Sequence, residues 1–101
     1  MKGMEVKDFQ EKIVECVKAW EKKRKVTPDE KAIFIHLVEE VGELAQQYVN
    51  REERKDKYNE KELENAIGDI LMQLVRLAYS RGLDIENLVS EIIEEESALL
   101  K

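Results

Sequence analysis

Apolar residues recur every three or four positions in four successive segments of this chain, a period that packs as α-helix and not as strand. Val6, Phe9, Ile13, Cys16, Val17 and Trp20 mark a first helix over about residues 5–24. Phe34, Leu37, Val38, Val41, Leu44, Ala45 and Tyr48 carry a second to about residue 51. Leu63, Ile67, Ile70, Leu71, Leu74 and Ala78 form a third stripe, and Ile85, Leu88, Val89, Ile92 and Ile93 a fourth. Punctuation agrees with this division. Thr27-Pro28-Asp29-Glu30 reads as a capping box with Thr at the N-cap, Pro first and Glu third. Asn59, with Glu62 three residues on, and Asp84 are further N-caps, and Gly82 suits a left-handed stop. The charged stretch 51–58 reads as a loop or frayed end. The predicted architecture is all-α, a four-helix bundle in a single domain over residues 1–101.

Ile33, Ile35, Met72 and Leu77 fall outside the main stripes, so a single copy would leave apolar surface uncovered. A homo-oligomer follows, a homodimer on a twofold axis or a homotetramer. Cys16 lies in the first stripe and reads as a small core residue. As the lone cysteine it excludes an internal disulfide and fits a reducing compartment. The start lacks an apolar signal core and no apolar run is long enough to span a bilayer, so a cytoplasmic protein with no membrane partner is expected.

Charge is unevenly placed. Residues 1–25 hold eight Lys/Arg against five Asp/Glu, a net +3, and the remainder holds nine against eighteen, a net −9. The acidic body argues against nucleic acid as a partner. The basic run Lys22-Lys23-Arg24-Lys25 suits a helix C-terminus, with phosphate binding as the functional reading beside it.

The acidic residues are clustered. Glu39, Glu40 and Glu43 share the second helix, with no Lys or Arg between Lys31 and Arg51. At about 100° per residue, Glu40, Glu43 and His36 lie within about 60° of arc, away from the apolar stripe. Asp69 likewise points away from the Ile67/Leu71 stripe of the third helix, with Glu62, Asn65, Ala66, Gln73 and Arg76 around it. A solvated face is the plain explanation of such residues. Like charges without a counter-charge are costly, however, and oxygen donors converging from two helices suit a hard cation such as Mg²⁺. Other chemistries lack their parts. A di-iron bundle needs Glu-x-x-His pairs, yet there is one His and residue 33 is Ile. Zinc lacks Cys/His partners, no nucleophile setting is recognisable, and there is no Gly-rich phosphate loop.

Leu37-Val38-Glu39-Glu40-Val41-Gly42-Glu43-Leu44 and Gly68-Asp69-Ile70-Leu71-Met72-Gln73-Leu74 resemble the two half-motifs of the MazG-type nucleoside triphosphate pyrophosphohydrolases, an all-α family. Ala78-Tyr79-Ser80-Arg81-Gly82-Leu83-Asp84-Ile85-Glu86 is similar to that family's passage into its last helix, and the likeness covers roughly residues 8 to 95. The resemblance implies Mg²⁺, with Mn²⁺ as an alternative, held by Glu40, Glu43 and Asp69. Glu39 is then a further ligand or the group that orients or deprotonates the water. The implied reaction takes a nucleoside triphosphate to monophosphate and pyrophosphate at a site between subunits. Trp20, Phe34 and Tyr48 are the aromatics available to stack a base, each equally explained as core.

The chain departs from that pattern in two places. The Glu of the second half-motif falls at Ala66, so one ligand is missing; Asn65 and Glu62, one and two turns before Asp69, are the better-placed substitutes, whereas Glu64 points about 140° away from it. The last helix, Glu91 to Leu99, lacks the bases that meet phosphates in relatives, and Lys22, Lys23 or Arg24 of a neighbouring subunit would compensate. Three readings stay open: a pyrophosphohydrolase, weakened by Ala66; a non-catalytic oligomerisation or nucleotide-binding relative; and a relative of the phosphoribosyl-ATP pyrophosphatases.

Overall fold

The computed structural model describes residues 4–100; Met1 to Gly3, part of the stretch read above for a signal segment, and Lys101 lie outside the described residues. The helices are α1 (Val6–Arg24), α2 (Glu30–Glu53), α3 (Glu60–Ser80) and α4 (Ile85–Leu99), with a short 3₁₀ turn at Lys55–Lys57. No strand occurs among the described residues, as the periodicity predicts. None of the described helices is long and apolar enough to cross a membrane.

Local chemistry sets most of the boundaries. Asn59 accepts the Glu62 N–H and Asp84 accepts the Asn87 N–H, both at 3.0 Å, so each satisfies an orphan donor of the helix it opens. Gly82, at φ 69°, ends α3 in a Schellman turn: its own N–H reaches Tyr79 O and the Leu83 N–H reaches Ala78 O. The start of α2 differs from the sequence reading. The cap is Asp29, whose side chain accepts the Ala32 N–H at 2.8 Å, and Thr27 and Pro28 stay outside the helix. Proline disfavours helical backbone at the residue before it, and Asp29 supplies a capping oxygen two residues later.

The α1 terminus uses the same Schellman pattern with a lysine in the glycine position. Lys25 sits at φ 56°, the sole non-glycine residue with positive φ among those described, and the Val26 N–H reaches Glu21 O. A Cβ in that conformation costs roughly 1 kcal/mol. Lys25→Gly is therefore expected to raise stability by about 1 kcal/mol in urea denaturation; a loss of stability would mean that Lys25 makes a contact outweighing its strain.

α2 and α3 form the central hairpin. They run antiparallel, because Gln47 of α2 bonds Glu62 of α3 while Glu40 neighbours Asp69. α1 is antiparallel to α3, joined through Glu21–Arg76 and Lys18–Tyr79. Gln10 fastens the last turn to α1, donating to Leu83 O and accepting the Ile85 N–H. α4 packs on α1 and buries none of its residues fully.

The face of α2 that meets α3 is not the one its apolar stripe predicts. Ile33 and Leu37 are 3% and 8% exposed, whereas Phe34 and Val38 are 51% and 52% exposed. Ile33, read above as lying outside the stripe, is core. Ile33, Leu37, Glu40, Leu44 and Gln47 fall on one line along the helix, and Phe34, Val38, Val41 and Tyr48 lie about 100° around it. On α3, Ile67, Leu71 and Leu74 are rotated in the same sense from Ala66 and are also exposed. In an antiparallel pair, equal rotations bring both flanks to the same side. The hairpin thus has an uncovered apolar side and, opposite it, the side bearing the carboxylates. Cys16 is exposed, not core; the buried residue of α1 is Ile13, and α1 reaches α3 through Glu21 and Lys18.

The chain is open for its size. Its radius of gyration is 16.3 Å, where a compact chain of this length measures about 13 Å. Its accessible surface is 8143 Å², where a folded monomer of this length shows roughly 5,900 Å².

Candidate functional site

The carboxylates are placed by the α2–α3 pairing. Two turns of α2 present Glu40 and Glu43, and α3 passes them at Asp69, so residues far apart in sequence line common cavities. One cavity, about 420 Å³, is lined by Glu43, Gln46, Gln47, Glu62, Asn65, Ala66 and Asp69. Another, about 290 Å³, adds α1 and is lined by Trp20, His36, Glu40, Asp69, Gln73 and Arg76 among others. Asp69 belongs to both and joins them. Of the residues read from sequence, Glu40, Glu43, Asp69, Glu62, Asn65 and Trp20 are thus brought to one side of the hairpin.

Glu40 is the most perturbed of them. Its Oε2 is sealed from solvent and has no hydrogen-bond partner among the described residues. Burial first, then the Glu43 and Asp69 carboxylates, push its carboxyl above the ordinary range, and His36 offsets this in part. An orphaned buried oxygen between two more carboxylates is a donor set for a hard divalent cation. No three His, Cys, Asp or Glu side chains among the described residues converge on one point.

Because Glu40 binds its proton more tightly when folded, the fold gains from protonation. That gain is complete below the carboxyl's unfolded value and is lost as pH rises through the raised one. Glu40→Gln is therefore expected to melt above the wild type at neutral pH without metal, the gap closing in acid. Equal melting temperatures at neutral pH would remove the buried charge from the account.

Glu39 is exposed and lines neither cavity, with Oε1 4.0 Å from His36 Nδ1 one turn before it. Trp20 lies under two guanidinium groups, Arg24 at 5.3 Å and Arg76 at 5.6 Å from the ring centre. Trp20 and Arg76 line the cavity, whereas Lys22, Lys23 and Arg24 do not. Phe34 and Tyr48 lie on the opposite, apolar flank.

Two polar features escaped the sequence reading. Arg76 is buried, with Nη2 donating to Glu21 at 2.7 Å and Nη1 to Gln73 at 3.4 Å. Gln47 and Asn50 are buried, and Gln47 falls in the line of Ile33 and Leu37, which was the signal available for it. Asn50 accepts from Gln46 at 3.0 Å, which ties the two turns of α2 nearest the cavity.

The family model for the MazG nucleotide pyrophosphohydrolase domain matches residues 29–95, from the cap of α2 into α4. No curated protein and no solved structure matches the chain.

Proposed function

The chain belongs to the MazG nucleotide pyrophosphohydrolase domain family, and from that premise we propose that it hydrolyses a nucleoside triphosphate to monophosphate and pyrophosphate with Mg²⁺ or Mn²⁺. The observation that carries this reading is the sealed, unpartnered oxygen of Glu40 beside Glu43 and Asp69. A bound divalent cation neutralises a triphosphate and polarises a water for attack at the α–β linkage. Glu40, Glu43 and Asp69 would hold it through carboxylate oxygens. Glu39, beside His36, would orient the water and take its proton. Trp20 offers a face to the base, and Arg24 a charge to the phosphates.

The same reading includes a second copy of the chain. The surface in excess of a folded monomer, roughly 2,200 Å², compares with about 800 Å² per partner in a standard interface. The apolar side of the α2–α3 hairpin is the surface that a twofold partner would cover, forming a bundle of four helices from two hairpins. The assembly is that homodimer, or a homotetramer built from it.

The test is pyrophosphate release from a panel of ribo- and deoxynucleoside triphosphates with Mg²⁺ or Mn²⁺. Release from at least one nucleotide is expected. An inert panel, in a protein shown to be folded and oligomeric, would favour the second reading: a non-catalytic relative that kept the fold and lost a carboxylate at Ala66.

A further inference from the structure

Ala66 is 5% exposed and brings only a methyl to the α2–α3 cavity. One turn earlier on the same line of α3, Glu62 also lines that cavity, with Glu43 and Asp69. Its carboxylate is held rather than free. Oε2 accepts from Gln47 Nε2 at 3.0 Å, across the helix pair. Gln47 is 9% exposed, and its Oε1 accepts the Asn59 backbone N–H at 3.0 Å. A backbone donor can only meet the oxygen end of an amide, so this contact fixes the orientation of Gln47 and turns its NH₂ toward Glu62. Asn59 in turn accepts the Glu62 N–H, which holds the backbone of the same residue. The Asn59 contact is the helix cap itself, but a first-turn glutamate serving only the helix dipole does not need the Gln47 contact. Buried amides that fix one oxygen of a carboxylate are the usual supports of a metal ligand.

We propose that Glu62, held by Gln47, supplies the divalent cation with the carboxylate that position 66 lacks. The assignment rests on the reading of the site given above. It extends the donor set from Glu40, Glu43 and Asp69 along α3 to Glu62, two turns before Asp69 and one before Ala66. Gln47 is a positioning residue; it acts through Glu62.

Mn²⁺ binding to the full chain, with no nucleotide present, tests this by electron paramagnetic resonance titration, with circular dichroism as the check on folding. Glu62→Gln keeps an acceptor for Gln47 and is expected to weaken Mn²⁺ binding by about tenfold or more. Adding Ala66→Glu to Glu62→Gln restores binding, because a carboxylate returns to the same cavity one turn on. Glu64→Gln, which lies outside that cavity, leaves it unchanged. Wild-type affinity in Glu62→Gln would overturn the proposal and leave the site reading intact. A folded wild type that takes up no Mn²⁺ would overturn both.

Discussion

Asp69→Asn is expected to lower pyrophosphate release by a factor on the order of 10² to 10³ while leaving the helices intact. Asp69 lines both cavities and stands between Glu43 on one side and Glu40 on the other, so no other side chain can replace its charge at the junction. Asparagine keeps the shape and one oxygen but removes the negative charge, and a neutral oxygen is a poorer donor to a hard cation. Asp69 is exposed, so the change carries little cost to folding. Far-ultraviolet circular dichroism and urea denaturation would confirm an unchanged fold. Mn²⁺ titration should show the loss as weakened metal binding rather than as failure to bind base or sugar. Activity within a few-fold of the wild type would remove Asp69 from the site and, with it, the geometry that unites the cavities.

Leu71→Glu is expected to dissociate the proposed homodimer, weakening subunit association by roughly a hundredfold or more. Leu71 is 45% exposed in one copy and stands in the middle of the flank that Ile67 and Leu74 continue on α3 and Val41 on α2. A carboxylate there must be stripped of water to enter an interface, and the flank offers it no counter-charge. Light scattering across a dilution series reads the result directly. Lys61→Glu, which also places a new carboxylate on the exposed surface of the same helix, should leave the assembly unchanged. If the Leu71 variant keeps the wild-type mass, a different surface carries the association. Loss of activity on dissociation would add that the site needs residues of the neighbouring copy.

Much of this architecture was legible in the sequence because its determinants are local. Asn59, Asp84 and Gly82 act on backbone groups within three residues, and each does what its type and position predict. That Glu40, Glu43 and Asp69 lie on one side of the hairpin was legible from helical spacing once two helices were expected to face each other. What periodicity does not reveal is which cover an apolar face receives. Phe34, Val38 and Val41 form a stripe as clear as any in the chain, yet α3 packs against the line of Ile33, Leu37 and Gln47. The stripe averaged two functions, a narrow face toward α3 and a broad flank that one copy leaves open. The paired polar residues were hidden for a related reason. Arg76 finds Glu21 across 55 positions of sequence, and Gln47 reads the Asn59 backbone; neither partner can be named before the helices are docked. Thr27 failed as a cap through competition, since Asp29 stood two residues on with an equally suitable oxygen.

The central claim is that the carboxylate side of the hairpin directs water to the α–β linkage of a nucleotide. The most direct measurement is a ³¹P nuclear magnetic resonance time course on nucleoside triphosphates, run with Mg²⁺ and again with the metal chelated. The account predicts monophosphate and pyrophosphate appearing together with Mg²⁺ and neither without it. Diphosphate and inorganic phosphate as the products, or equal rates after chelation, would contradict it.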